Sequence, residues 1–222
     1  MRLRRYAIVC LASTLALGGC AHGLKIRDRP IQFSADRERG TLQYISDHYG
    51  ETPEDLSIVP RIIVLHWTAI DSFKESFAAF DPETLGGSRP NLGAAGDVNV
   101  SIQFLVGRKG RVYRLMPETW MARHCIGLNH SAIGVENVGG GDGVDNLTDA
   151  QLEANIRLVR YLVAKYPTIR YLIGHMEYLR FVGHPLWLER DPGYRTEKTD
   201  PGDRFMSAVR AAVADLGLEG PP

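Results

Sequence analysis

The chain has 222 residues, 44% of them hydrophobic, which is enough for one domain with a sizeable core. Its 26 Lys and Arg balance 26 Asp and Glu, so no basic stripe or acidic tail argues for a nucleic-acid partner. Neither a low-complexity tract nor a repeat of solenoid period is visible in the sequence.

Met1-Arg2-Leu3-Arg4-Arg5 is a basic start, and the apolar run behind it, residues 6–17, is shorter than the roughly 20 residues that span a bilayer. This is the pattern of a secretory signal. It ends in Leu17-Gly18-Gly19-Cys20, which resembles a bacterial lipobox: an aliphatic residue and two small ones before a cysteine that receives lipid. A plain secretory signal with an incidental cysteine, or a membrane anchor, is the alternative. The lipobox implies a signal peptide over 1–19 and a mature chain held to a membrane through lipid on Cys20. Because Ala21 rather than Asp follows, it also implies an outer-membrane lipoprotein of the bacterial cell envelope, facing the periplasm. Cys10 then leaves with the signal, and of the three cysteines only Cys125 remains. The mature domain is expected to stand on packing rather than on disulfides, with Cys125 a buried small residue.

Residues 20–35 are polar and read as a tether, and 36–220 as a single domain that includes an N-terminal helical extension. A helix is expected over 36–49, with Leu42, Ile45 and Tyr49 on its inner face and Gly50 and Pro53 to stop it. Ile62-Ile63-Val64-Leu65 is a short unbroken apolar run preceded by Pro60, the pattern of a strand buried on both faces. It runs into His66, and the end of a central strand in an open α/β sheet is where ligands gather. Taken alone, His66 is more simply a core histidine satisfied by a backbone group. Ser72 and Glu75 predict a capping box, opening a helix whose Phe73, Phe77 and Phe80 form a core stripe. Residues 81–96, rich in Gly and Pro, read as a loop near the mouth of a site.

Strands are predicted at 98–106 and 111–115, joined by a turn at Arg108-Lys109-Gly110, and at 132–138 before Gly139-Gly140-Gly141. Thr148 and Gln151 predict a second capping box and a helix to about residue 166. A short strand over 169–173 runs into Gly174-His175, and a last helix is expected over 204–216 with Phe205, Val209, Ala212 and Leu216 inward. Strands alternating with helices predict an α/β domain: a mixed central β-sheet flanked by helices in three layers.

His66 and His175 each follow a short apolar strand, so both can stand at one end of the same sheet. A zinc site that activates water needs three protein ligands and an open position. Asp200, in Lys198-Thr199-Asp200-Pro201-Gly202, is the third candidate, held at a Pro-Gly turn. The intervening stretch also contains Gly183-His184 and Asp191-Pro192-Gly193, which echo both signals at equal His-to-Asp separation. Spacing therefore leaves two pairs open. Context favours His175, directly after a strand, and Asp200, two residues after a lysine.

Together these residues carry a family resemblance. Val64-Leu65-His66-Trp67-Thr68, Val100-Ser101 with Gly110-Arg111-Val112-Tyr113, Ser131-Ala132-Ile133-Gly134-Val135-Glu136, Gly174-His175 and Lys198-Thr199-Asp200-Pro201-Gly202 stand in the family's order. Over residues 60–205 the chain resembles the type 2 N-acetylmuramoyl-L-alanine amidases, the zinc-dependent superfamily shared with peptidoglycan recognition proteins. With the lipobox it is similar to the lipoprotein amidases of Gram-negative outer membranes. The resemblance implies one zinc ion held by His66, His175 and Asp200, with Glu136 the catalytic glutamate and Lys198 the lysine beside the metal. It further implies that His124 and Asn129 contact the substrate, while Gln103 stands where many relatives have histidine. The implied reaction is hydrolysis of the amide between N-acetylmuramic acid and L-alanine in peptidoglycan or muropeptides.

The residue chemistry agrees. Two neutral imidazoles and one carboxylate leave zinc a net positive charge and a position for water, whose pKa falls from about 15.7 towards 7 in such sites. Glu136 would move the proton, and Lys198 would stabilise the oxyanion. Without the family context, Glu136 is equally a salt-bridged carboxylate at a strand end. Two other functions share the resemblance. One is a non-catalytic peptidoglycan-binding module, disfavoured because the ligand set is complete; the other is a zinc peptidase acting within the stem peptide. The stretch 176–197 is longer than the family's usual loop, and its Phe181, Trp187 and Tyr194 are expected to pack the insertion rather than wall the groove.

Overall fold

The computed structural model describes residues 23–86, 93 and 95–222. The expected signal peptide, Cys20 and part of the 81–96 loop lie outside the described residues. The strands are β1 (Ile26–Asp28), β2 (Ile62–Trp67), β3 (Phe104–Val106), β4 (Val112–Arg114), β5 (Ala132–Asn137) and β6 (Tyr171–Gly174). They form one sheet in the order β1-β4-β3-β5-β2-β6. Every neighbouring pair is parallel except the β3–β4 hairpin. Its turn needs Gly110, which has φ 71° and where a Cβ would lie 2.4 Å from the Ala150 carbonyl oxygen.

The helices that layer the sheet are α1 (Ala35–Tyr49), α2 (Phe73–Phe80), α3 (Asp149–Lys165) and α4 (Asp203–Ala212). Ser34 caps α1 and Gly50 ends it in the left-handed conformation. Thr148 and Gln151 form the reciprocal capping box of α3. Alternation along β2 divides its side chains between two cores. Ile63, Leu65 and Trp67 pack with Leu158 and Leu162 of α3 and Phe205 and Val209 of α4. Ile62 and Val64 pack with Tyr44, Ile45 and Tyr49 of α1 and with Tyr178, Phe181 and Tyr194 of the insertion. Ile62, Ile63, Val64 and Leu65 are all 0% exposed, and each such side chain contributes about 1.5–3 kcal/mol relative to exposure. The result is the expected three-layer α/β domain around a mixed sheet. No described helix is long and apolar enough to cross a membrane.

Three local expectations are corrected. Within 98–106 only β3 is strand, because buried side chains ahead of it take up backbone partners. Asn99 Nδ2 donates to the carbonyls of Ala79 and Pro82, and Gln103 Oε1 accepts from Gly134 N at 2.8 Å. The supposed tether contributes β1, an edge strand beside β4 whose Ile26, with neighbouring Leu24, packs on the core. Helix α1 buries Arg37, Thr41 and His48 beside Tyr44, Ile45 and Tyr49, and leaves Leu42 only partly covered. Arg37 Nη1 and Nη2 donate there to the carbonyls of Gln32, Phe80, Asp81 and Val100, although burial lowers its pKa to about 10.

Candidate active site

Sheet register assembles the site. His66 in β2 is the cross-strand partner of Glu136 in β5, and Leu65 is the partner of Gly174 in β6. His175 therefore emerges beside His66, one residue past the end of β6. Glu136, His66 and His175 form one row at the C-terminal ends of three adjacent parallel strands, on the face that carries Ile62 and Val64. Asp200 reaches this row from the loop before α4. Its carbonyl accepts from Met176 N at 2.9 Å. Gly174 lets the turn approach, since a Cβ there would stand 2.9 Å from Pro201 Cδ.

His66 Nδ1 lies 3.0 Å from His175 Nδ1 and 3.2 Å from Asp200 Oδ2, and His175 Nδ1 lies 3.1 Å from the same oxygen. Three donor atoms of three buried residues thus face one point. Tetrahedral zinc with ligands at about 2.0–2.2 Å has ligand–ligand edges of about 3.3–3.6 Å, so the triangle is within a few tenths of an ångström of a zinc face. Two imidazoles and a carboxylate are also a donor set that zinc favours. Burial, then the neighbouring His175, pushes the His66 imidazole down to about 4, so the ring is neutral at neutral pH, as a ligand must be. Burial alone would raise the Asp200 carboxyl. The His175 charge and the hydrogen bonds from His175 and His66 outweigh it and hold the group well below the usual carboxylate range.

The row opens on a cleft of about 330 Å³ lined by His66, Glu136, His175, Lys198 and Asp200. The five residues expected to carry metal and catalysis are therefore brought together. His124 is at the cleft too, with its Nδ1 3.0 Å from His66 Nε2. Burial, followed by the charges of His66 and His175, moves the His124 imidazole well below its ordinary value. Asn129, expected as a substrate contact, lines the cleft and braces the backbone beside it. It is 1% exposed, its Oδ1 accepts from the backbone N of His124 and Cys125, and its Nδ2 donates to Tyr49 Oη.

The echo pair lies elsewhere. His184 packs edge-on against Tyr171 and Phe181 and accepts from Leu186 N, and Asp191 is exposed, accepting from Gly193 N. Phe181 and Trp187 pack the insertion, Trp187 against Gly127, where a Cβ would come within 2.7 Å of its ring. Tyr194 goes further and walls the cleft.

Tyr44 and Arg123 also line the cleft and were not singled out from the sequence. Arg123 donates to the carbonyls of Ala95 and Gly96 and to Tyr194 Oη, with its guanidinium 4.8 Å from the Tyr44 ring centroid. Behind this wall, His48 Nδ1 lies 2.9 and 3.0 Å from the two Glu189 oxygens and its Nε2 lies 3.2 Å from the Ala95 carbonyl. The His48 ring is stacked on Tyr44 at 4.4 Å and lies 5.0 Å from Tyr194. Helix α1 and the insertion are thereby joined into one wall. The Tyr44–His48 spacing of one helical turn is a legible signal; a partner 141 residues away is not.

Among solved structures, the endolysin N-acetylmuramoyl-L-alanine amidase LysCS from Clostridium intestinale URNW superimposes with a TM-score of 0.53 at 20% identity, covering 90% of this chain and 99% of its own. The amidase LysC from the same organism gives 0.52 at 21% identity, covering 88% and 99%. An AmpD derivative gives 0.51 at 22% identity, covering 84% and 93%. These likenesses establish a shared fold. No curated protein sequence matches the chain. The family model of the N-acetylmuramoyl-L-alanine amidases (Amidase_2) matches residues 56–203, a span that runs from just before β2 to the start of α4 and contains every member of the His66 row, and the chain therefore belongs to that family.

Proposed function

We propose that the protein is a zinc-dependent amidase that hydrolyses the bond between the lactyl group of N-acetylmuramic acid and L-alanine in peptidoglycan or its muropeptides. The observation that carries this reading is the convergence of His66 Nδ1, His175 Nδ1 and Asp200 Oδ2 within 3.2 Å, beside the register-paired Glu136. Zinc, when bound by these three residues, would supply Lewis acidity towards the scissile carbonyl and towards water. Glu136 is 9% exposed and opens on the cleft; there it accepts the proton of the attacking water and delivers it to the leaving amine. Lys198, half-buried at the same cleft, places a positive charge where the carbonyl oxygen gains negative charge. The α1–insertion wall excludes water from one side and bounds the space left for the stem peptide.

The lipobox supports a further part of the proposal: lipid on Cys20 tethers the domain to the outer membrane, facing the periplasm. Palmitate labelling of the full chain, lost in Cys20→Ala, is the expected outcome.

The amidase reading is tested by mass spectrometry of a muropeptide digest. Free stem peptide beginning at L-alanine is expected from zinc-loaded protein and none after chelation. A cut inside the stem would instead mean a peptidase, and binding without any cut a recognition module.

A further inference from the structure

We infer that His124 is a positioning residue for His66, fixing the tautomer and tilt of the first metal ligand rather than touching substrate; this rests on the zinc reading above. The argument is one of proton bookkeeping. His66 Nδ1 points at His175 and Asp200, and Nε2 points at His124 Nδ1 at 3.0 Å. A ligand ring that gives its Nδ1 lone pair to a cation carries its only proton on Nε2. That proton must be donated to His124 Nδ1, which must therefore be the acceptor. The proton of His124 is then on its own Nε2. Two imidazoles are held in one chain with a single sense of donation.

The ring has a built seat. A Cβ at Gly134 would come within 2.9 Å of two His124 ring atoms, so His124 lies directly over the backbone of β5. Gly134 is itself fixed by Gln103, whose Oε1 accepts from its N at 2.8 Å. The backbone N of His124 donates to Asn129 Oδ1 at 2.9 Å, and Asn129 is anchored on Tyr49 of α1. Gly134, Gln103 and Asn129 thus acquire one shared role, the support of a ring that supports a ligand. Partners of this kind orient ligating histidines, and losing them typically costs 10- to 100-fold in metal affinity.

The test compares His124→Phe, which fills the space without an acceptor, with His124→Asn, whose carbonyl oxygen stands near the place of Nδ1. Zinc affinity is measured by chelator competition, the ligand field by visible absorption of the cobalt-loaded protein, and kcat and KM on a muropeptide at saturating zinc. His124→Phe is expected to bind zinc about 10- to 100-fold more weakly with an altered cobalt spectrum and an unchanged KM, and His124→Asn to recover most of the loss. Gly134→Ala, whose Cβ would meet Ile102 Cδ1 at 2.2 Å as well as the ring at 2.9 Å, shifts the ring without removing it; it is expected to weaken zinc in the same sense and keeps the test open should His124→Phe not fold. Zinc affinity within twofold of wild type in His124→Phe, with a raised KM, would overturn the inference and restore His124 as a substrate ligand. Wild-type protein that binds zinc in a His124-dependent way yet cuts no amide would uphold the inference while sinking the amidase reading. Wild-type protein that binds no zinc would sink both.

Discussion

Gly174-His175 and Gly183-His184 offer the same dipeptide, and Asp191-Pro192-Gly193 and Asp200-Pro201-Gly202 the same turn, yet one His and one Asp enter the cleft and the others stay on the insertion. The difference lies in what stands behind each residue. His175 follows β6, which pairs with β2 along its whole length. His184 follows a 3-10 run, His175–Phe181, and its backbone N bonds only locally, to Phe181 O. Even the two glycines serve unlike needs. Gly174 has an ordinary extended backbone but no room for a Cβ beside Pro201, whereas Gly183 has open space and φ 87°. The histidine that enters the cleft is thus recognised by the strand that aims it, and the local motif alone is insufficient.

The sharpest way to break this comparison is a pair of alanines. His175→Ala should lower kcat/KM by at least about 10³-fold, roughly 4 kcal/mol of transition-state stabilisation, and abolish zinc binding measured by metal analysis after dialysis. His184→Ala should stay within about twofold of wild type in kcat/KM, because its ring packs on Tyr171 and Phe181 outside the cleft. The opposite pattern would move the ligand role to the insertion.

Next in size is a pH effect belonging to the cleft. The His66 imidazole is held near 4 in the fold against an ordinary 6.5, so between these values the unfolded chain binds the proton more readily. Stability of the metal-free protein should therefore fall as pH drops from 6.5 to 4, by about 3 kcal/mol in all from this group. Asp200, depressed in the fold, contributes stability that is lost only at lower pH still. Urea unfolding of chelator-treated protein at pH 7 and pH 4.5 checks this, and His66→Gln should flatten the difference.

Smaller effects separate the two glycines. Gly174→Ala must displace Pro201, costing about 1–3 kcal/mol in a denaturant melt and weakening zinc with it. Gly183→Ala pays only for a left-handed backbone, about 1–2 kcal/mol, with zinc affinity unchanged. Smallest of all, Asp191→Ala removes an exposed turn contact to Gly193 and should move the melting midpoint by no more than about 0.5 kcal/mol equivalent.

Much of this was legible because the signals are local. The run from Ile62 to Leu65, the capping box at Thr148 and the strand before His175 each declare themselves within a few residues, and they frame the cleft. What escaped is held together by distant polar pairs. Strand β1 is three residues at a sheet edge, with Arg27 and Asp28 exposed, so no apolar alternation announces it. The inner face of α1 is hidden by buried Arg37 and His48, whose partners lie on α2, the 95–100 segment and the insertion. His124 and Asn129 both line the cleft as expected, but only the fold reveals that His124 Nδ1 faces His66 and that the Asn129 side chain is engaged by Tyr49 and the backbone at 124–125.

The register that sets His66 against Glu136 sets Leu65 against Val135 and Gly174 as well. Side chains along a strand alternate with a period of two, so a slip of one residue would send His66 into the helix-packed interior and Leu65 into the cleft. Misalignment of the site and misburial of the core are therefore the same error, and the cost of wrongly placing four aliphatic side chains acts as proofreading for the chemistry. Loss-of-function substitutions at Glu136 should accordingly leave a well-folded molecule, while any chain that has found its core has already aligned His66 with Glu136.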